Sequence, residues 1–214
     1  MTTRRESQPA SVPATVRGDA LDVAALPSYG FGHRSLMWWG TAAMMAIEGI
    51  AFAFMIVVYF YLRSLSGTWP YGASAPDLFW GTLNAVVILL SAIPNIYTDK
   101  AAIDQDLHKV RVGLAWCCAF GLVLCVVRGF EFTALNVFPT DSAYGSAVWV
   151  LLGLHTFNLI TDYGDTLVLT TLMFKKGPIE GKRFVDVAEN SGYWDFVVLT
   201  WLPIYAVVYW GPRF

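Results

Sequence analysis

The chain has 214 residues, of which 56% are hydrophobic, 15% aromatic and only 14% charged. This composition, with a mean hydropathy of +0.52, excludes a soluble globular protein. The 14 Lys and Arg residues nearly balance the 16 Asp and Glu residues, and the net charge of −2 provides no basic surface for nucleic acid. The three cysteines share one apolar stretch, so neither a disulfide framework nor a Cys-x-x-Cys metal site is predicted.

Residues 1–34 are rich in Ser, Thr, Pro and charged side chains and lack the apolar core of a signal peptide. We expect a disordered, polar cytoplasmic tail here and a transmembrane domain over residues 35–214. Each of the five apolar stretches that follow can cross a hydrocarbon core of about 30 Å at about 1.5 Å per residue. They cover residues 36–62, 78–97, 110–127, 144–174 and 191–210. Because they show no strand-like alternation, the sequence predicts an all-α, polytopic membrane protein with a bundle of five transmembrane helices.

Basic residues are distributed unequally between the two sides of the predicted bundle. The N-terminal tail and the second and fourth connections carry 11 Lys and Arg residues, whereas the opposite side carries three. Cytoplasmic segments are enriched in Lys and Arg, so we expect the N-terminus inside and the C-terminus outside.

Ionisable side chains inside a predicted span are costly, so they mark candidate functional positions. Glu48 lies 12 residues into the first helix, about 18 Å from its inner end and near the membrane midplane. Four polar residues of the fourth helix are spaced three, four and three apart, which confines them to an arc of about 80°. This predicted polar stripe consists of His155, Asn158, Asp162 and Asp165.

Further polar residues lie toward the helix ends. Glu131 follows Arg128 by three residues at the outer end of the third helix, where we expect a solvated surface pair at a charged rim. Asn84 and Asp195 are predicted near the ends of the second and fifth helices.

These residues permit more than one interpretation. Glu48 is either a hydrogen-bonded packing carboxyl or a lipid-cleft or proton-linked group, and the stripe is either interhelical hydrogen bonding or a set of functional groups. A metal site from His155, Asp162 and Asp165 is conceivable. Because no second histidine lies in any predicted span, we expect neither a metal site nor a haem ligated by this chain alone. No catalytic motif is recognised, so no catalytic residue is predicted.

Motifs in chain order give the sequence a family resemblance. The first span, with its paired aromatics, midspan Glu48 and the following Trp-Pro at 69–70, resembles the corresponding helix of subunit III of haem-copper terminal oxidases. The acidic-aromatic pair at 131–132, the Tyr-Gly-Ser start and Gly-x-His of 143–155, and the aromatic spacing of 193–210 are similar to later parts of that family. The sequence resembles the short, five-helix form.

The sequence also departs from the family pattern at several positions. Asn158 stands where the family usually repeats a histidine, and Asp195 and Val198 alter its closing Trp-His-Phe-Val-Asp motif. Asp162 and Asp165 replace residues that are normally small or apolar. These differences leave open a subunit III-like accessory protein of nitric oxide reductase.

The resemblance implies a non-redox subunit that packs on the catalytic haem-copper subunit and binds phospholipid between its helices. It further implies haem and copper in partner subunits, cytochrome c or quinol as electron donor, and oxygen reduction coupled to proton pumping in a bacterial inner membrane. The chain itself has no predicted catalytic site, so any enzyme activity would belong to the oxidase complex of which it is a subunit. A small proton-coupled transporter that uses Glu48, Asp162 and Asp165 is the alternative from another class, although the sequence has no visible repeat.

Overall fold

A computed structural model describes residues 29–214, and this part of the chain is helical without β-strands. The helices are α1 (Leu36–Leu65), α2 (Leu78–Ile103), α3 (Leu107–Thr133), α4 (Ala143–Phe174) and α5 (Gly181–Tyr205). All five are long and apolar enough to cross a membrane, which confirms the predicted fold class. The first 28 residues of the predicted tail lie outside the described residues, and the proposed domain division stays a prediction.

Short turns of other helix types flank the five helices. A 3₁₀ turn at Gly32–Arg34 precedes α1. At the other end of the chain, α5 continues through a π-helical turn at Ala206–Trp210 into a 3₁₀ turn at Gly211–Arg213. The last predicted span is therefore one continuous helical segment, and its geometry changes after Pro203.

Several helices extend beyond the apolar stretches that predicted them. The observed α2 ends at Ile103 rather than at 97, α3 ends at Thr133 rather than near 127, and α5 begins at Gly181 rather than at 191. The apolar pattern stops at the first charged side chains, whereas the backbone hydrogen bonds of a helix continue past them. This difference places several polar residues farther inside the bundle than the sequence suggested.

Polar side chains mark where the helices begin. The carboxylate or hydroxyl of the preceding residue accepts a backbone N–H of the first turn at α1 to α4, which satisfies one of the unpaired donors there. These caps are Ser35, Asp77, Asp106 and Ser142. Asp106 also pairs with Lys109 at 3.0 Å, and this hydrogen-bonded cation lowers the pKa of the Asp106 carboxyl.

The bundle is packed unevenly. The helix α5 packs against α1, α2 and α4, and α3 completes the bundle through contacts with α2 and α4. By contrast, α1 lies at the edge, and of its 30 residues only Phe52 and Tyr59 are buried. Most of α1 therefore faces the surroundings of the chain, which in a membrane are lipid or a partner subunit.

The orientation in the membrane stays a prediction and can be measured directly. We expect a reporter that is active only outside the cytoplasm to be active when fused after Phe214 and silent when fused after Lys109, because basic residues concentrate on the Lys109 side. A reporter active only in the cytoplasm should give the opposite pattern at the same two sites. Activity of the external reporter at Lys109 would overturn the topology.

Candidate functional site

A buried ion pair lies in the half of the bundle nearer the C-terminus. Arg128 Nη1 lies 2.9 Å from Glu131 Oε2, and the two side chains are only 2% and 0% exposed. The predicted solvated surface pair is therefore wrong. Because α3 continues to Thr133 and packs against α2 and α4, the pair lies inside the bundle rather than at its rim.

Glu131 is surrounded by hydrogen-bond donors from three elements. Its Oε2 accepts a 2.6 Å hydrogen bond from Asn84 Nδ2 of α2 in addition to the one from Arg128. Its Oε1 accepts a hydrogen bond from the hydroxyl of Tyr209 in the π-helical turn. A buried charge is tolerated only when it is paired and hydrogen-bonded, and this carboxylate has both kinds of partner.

Arg128 connects these residues to α4 and α5. We call the group of Arg128, Glu131, Asn84, Tyr209 and His155 the Arg128 cluster. Its Nη2 lies 3.0 Å from Nδ1 of His155, and its guanidinium carbon lies 4.1 Å from the centroid of the Trp201 ring. His155 Nε2 lies 3.0 Å from the carbonyl oxygen of Val197. Because arginine only donates, Nδ1 accepts and Nε2–H donates, which corresponds to a neutral imidazole with both nitrogens engaged.

Glu48 anchors a second polar site between α1, α4 and α5. Its Oε2 accepts a 2.7 Å hydrogen bond from the Tyr193 hydroxyl and a 3.2 Å hydrogen bond from Asn158 Nδ2. These contacts tie the otherwise peripheral α1 to the two helices beside it. The structure thus supports a hydrogen-bonded carboxyl at this position, as in the first of the two interpretations given for Glu48.

The predicted polar stripe does not act as one group. His155 belongs to the Arg128 cluster, whereas Asn158 belongs to the Glu48 site. Asp162 is buried without a hydrogen-bond partner for its Oδ2, and Asp165 is exposed. Over residues 29–214, no three His, Cys, Asp or Glu side chains converge closely enough to hold a metal ion.

A cleft of about 600 Å³ separates α1 from α4 and α5 beside the Glu48 site. We define the acidic cleft as this cavity. Its carboxyl groups belong to Glu48, Asp162, Asp165, Asp186 and Glu189. Lys182 and Arg183 also line it near the start of α5, where Arg183 pairs with Asp186 at 3.1 Å.

A further set of polar contacts joins α2 to α5. Asn95 Nδ2 donates to Asp195 Oδ1 at 2.8 Å and to the Ser191 carbonyl at 2.9 Å, and Trp194 Nε1 donates to Ser91 Oγ at 3.0 Å. Asp195 therefore lies inside α5 rather than near its end, because the helix begins ten residues earlier than predicted. These hydrogen bonds hold the helices together.

Sequence comparisons place the chain among known proteins. The sequence model of a family described as cytochrome c oxidase subunit III matches residues 32–212. Cytochrome c oxidase subunit 3 of Thermostichus vulcanus is 23% identical over 184 residues, which cover 85% of this chain and 90% of the relative. The same subunit of Synechocystis is 25% identical over 184 residues, with 83% and 77% covered.

A third relative is similar over the same length, and the family match covers the whole helical region. Cytochrome c oxidase subunit 3 of Artemia franciscana is 23% identical over 186 residues, which cover 85% of this chain and 70% of the relative. The family match includes all five helices. On this match, the chain belongs to the cytochrome c oxidase subunit III family.

Proposed function

We propose that this chain is the non-redox subunit III of a haem-copper respiratory oxidase. The match to the family over residues 32–212 carries the proposal. The site geometry agrees with it, because both nitrogens of His155 and both oxygens of Glu131 are engaged within the bundle. These groups stabilise helix packing and are not presented to a redox centre. The family match does not favour the nitric oxide reductase accessory protein or the transporter.

The partner in this proposal is the catalytic subunit, which holds haem and copper and couples oxygen reduction to proton pumping. The exposed face of α1 supports packing of this kind, since 30 largely apolar residues bury only two side chains within the chain. The membrane in this proposal is a bacterial inner membrane, and the excess of Lys and Arg on one side supports an orientation with the N-terminus in the cytoplasm.

Bound phospholipid is a further part of the proposal. A cavity of about 970 Å³ lies at the start of α1 and is lined by Arg34 and Lys182 beside the apolar Leu36 and Met37. Two cations next to apolar side chains suit a phosphate group whose acyl chains continue along the helix. Loss of copurified phospholipid phosphorus from an Arg34→Gln, Lys182→Gln variant would support this location.

Copurification tests the proposed function. We expect a tagged chain extracted in mild detergent to bring down a haem-bearing subunit, with a cytochrome absorbance spectrum and oxygen-consuming activity. A transporter would be isolated alone and colourless, and an accessory protein of nitric oxide reductase would bring down a complex that consumes nitric oxide. Either result would contradict the proposal.

Replacing Glu48 with Ala tests the non-redox role within the complex. We expect the haem spectrum and initial turnover to be nearly unchanged, because the hydrogen bonds of Glu48 within residues 29–214 go to Tyr193 and Asn158. The variant should instead lose activity faster during sustained turnover or retain less lipid, since α1 loses its polar anchor. Glu48→Gln keeps an acceptor oxygen and is the matched control. An assembled complex without haem absorbance would exclude a non-redox role.

A further inference from the structure

The acidic cleft contains a carboxylate that the chain itself leaves without a partner. Asp162 is 2% exposed, lines the cleft and has no hydrogen-bond partner for its Oδ2. Asp165, about one turn away, lines the same cleft and is exposed. The two residues lie 12 and nine positions before Phe174 at the inner end of α4, which is about 18 and 14 Å along the helix.

No cation of residues 29–214 forms an ion pair with Asp162 or Asp165, although Lys182 and Arg183 line the same cleft near the start of α5. The ion pairs formed by residues 29–214 join Lys109 to Asp106, Arg128 to Glu131 and Arg183 to Asp186. A carboxylate within a membrane span is costly, and two carboxylates one turn apart also repel each other. An ammonium or guanidinium group held directly between Asp162 and Asp165 would offset both costs.

The cleft favours a side chain of a neighbouring helix as the source of that cation. It lies between α1, α4 and α5, and exposed apolar side chains line it beside the carboxyl groups, as a helix partner requires. Among these, Met44, Phe157 and Val168 are 46%, 65% and 56% exposed. A bare metal ion fits less well, because no three ligand side chains converge anywhere in the described residues.

We propose that the acidic cleft receives a Lys or Arg side chain from a transmembrane helix of a partner subunit. The long aliphatic stem of either residue would lie against the apolar walls while its charged end reaches Asp162 and Asp165. The inference rests on the proposed function, because it requires a multi-subunit complex. It adds the chemistry of the docking surface and the residues that recognise the partner.

Photo-crosslinking in the assembled complex identifies what occupies the cleft. p-Benzoylphenylalanine in place of Phe157 is a conservative aromatic exchange at an exposed position of the cleft. After irradiation of the purified complex, we expect a covalent adduct with a partner transmembrane segment that carries Lys or Arg, identified by peptide mass spectrometry. The same exchange at Phe130, exposed on α3 and outside the cleft, is the control and should not capture that segment.

Three outcomes would overturn the inference. These are an adduct with lipid only, an adduct with another part of this chain, and an adduct with a partner segment that has no basic residue. Failure of the wild-type chain to bring down any haem-bearing subunit would instead contradict the proposed function. The two failures are therefore distinguishable.

Charge variants provide an independent measurement. After a detergent wash, we expect the double variant Asp162→Asn, Asp165→Asn to retain about one tenth or less of the partner subunit that the wild type retains. The reason is that the partner cation would be left buried and unpaired. Asp104→Asn makes the same chemical change in an exposed connection and should retain the partner like the wild type. Unchanged retention by the double variant would contradict the proposal. If that variant is unstable by itself, Asp165→Lys compared with Asp165→Glu tests the sign of the charge at an exposed position.

Discussion

Replacing Arg128 with Met should destabilise the chain by about 3–5 kcal/mol, the usual cost of removing one partner of a buried ion pair. The reason is that Glu131, which is 0% exposed, would lose the cation 2.9 Å away and would either remain buried as an uncompensated charge or have to take up a proton. At about 2–4 °C per kcal/mol, the melting temperature of the detergent-purified full chain should fall by roughly 6–20 °C. Circular dichroism at a helix wavelength measures the change.

A double variant separates the charge from the packing in this result. When Arg128→Met is combined with Glu131→Gln, no uncompensated charge remains, so we expect less than half of the destabilisation of the single variant. Arg63→Met is the matched control, because it removes an arginine of α1 that takes part in none of the cluster's hydrogen bonds. Equal destabilisation by the single and double variants would mean that lost packing, rather than an unpaired charge, is responsible.

The helices were predictable because length and apolar composition determine which segments cross a membrane. All five predicted spans are found as helices, and the predictions differ from the structure only at the ends of the helices. The same method misplaced Arg128 and Glu131, because the apolar stretch ends near 127 and a charged pair beyond it resembles a rim. Their burial depends on Asn84 and Tyr209, which are distant in sequence.

The polar stripe shows what helical spacing can and cannot predict. The intervals of three and four correctly place His155, Asn158, Asp162 and Asp165 on one side of α4. Spacing does not show which neighbour covers each position, so the division between the Arg128 cluster, the Glu48 site and the acidic cleft was not predictable. The hydroxyl donors Tyr193 and Tyr209 were likewise missed as site residues, because near helix ends tyrosine is also typical of the membrane interface.

The Arg128 cluster and the acidic cleft differ in how completely this chain satisfies their carboxyl groups, although Arg128 Nε and Asn84 Oδ1 in the cluster are also buried without a partner. In the Arg128 cluster, both carboxylate oxygens of Glu131 receive donors from within the chain. In the acidic cleft, Asp162 has an unpartnered oxygen and the neighbouring Asp165 is exposed. The first arrangement suits a rigid bundle, whereas the second suits an assembly in which a further group arrives from outside.

A close helix contact supports the Arg128 cluster and gives a second large effect. A Cβ atom added at Gly81 of α2 would overlap the ring of Tyr209, whose hydroxyl donates to Glu131. We therefore expect Gly81→Ala to destabilise the chain by about 1–3 kcal/mol, because the ring must move away in a packed interior. Gly153→Ala is the matched control, since nothing lies within 4 Å of an added Cβ there and alanine is favoured over glycine in a helix by about 0.5–1 kcal/mol.

A double-mutant cycle tests whether Gly81 acts through the hydroxyl of Tyr209. Tyr209→Phe alone removes a hydrogen bond to a charged group, which is worth about 1.5–3 kcal/mol. If the added methyl group at Gly81 already breaks that bond, the second substitution should cost less in the Gly81→Ala background than in the wild type. Thermal unfolding of the four full-length chains in one detergent gives the coupling. Strict additivity would show that Gly81 and the Tyr209 hydroxyl contribute independently, and that close packing of α2 against the π-helical turn does not position the donor to Glu131.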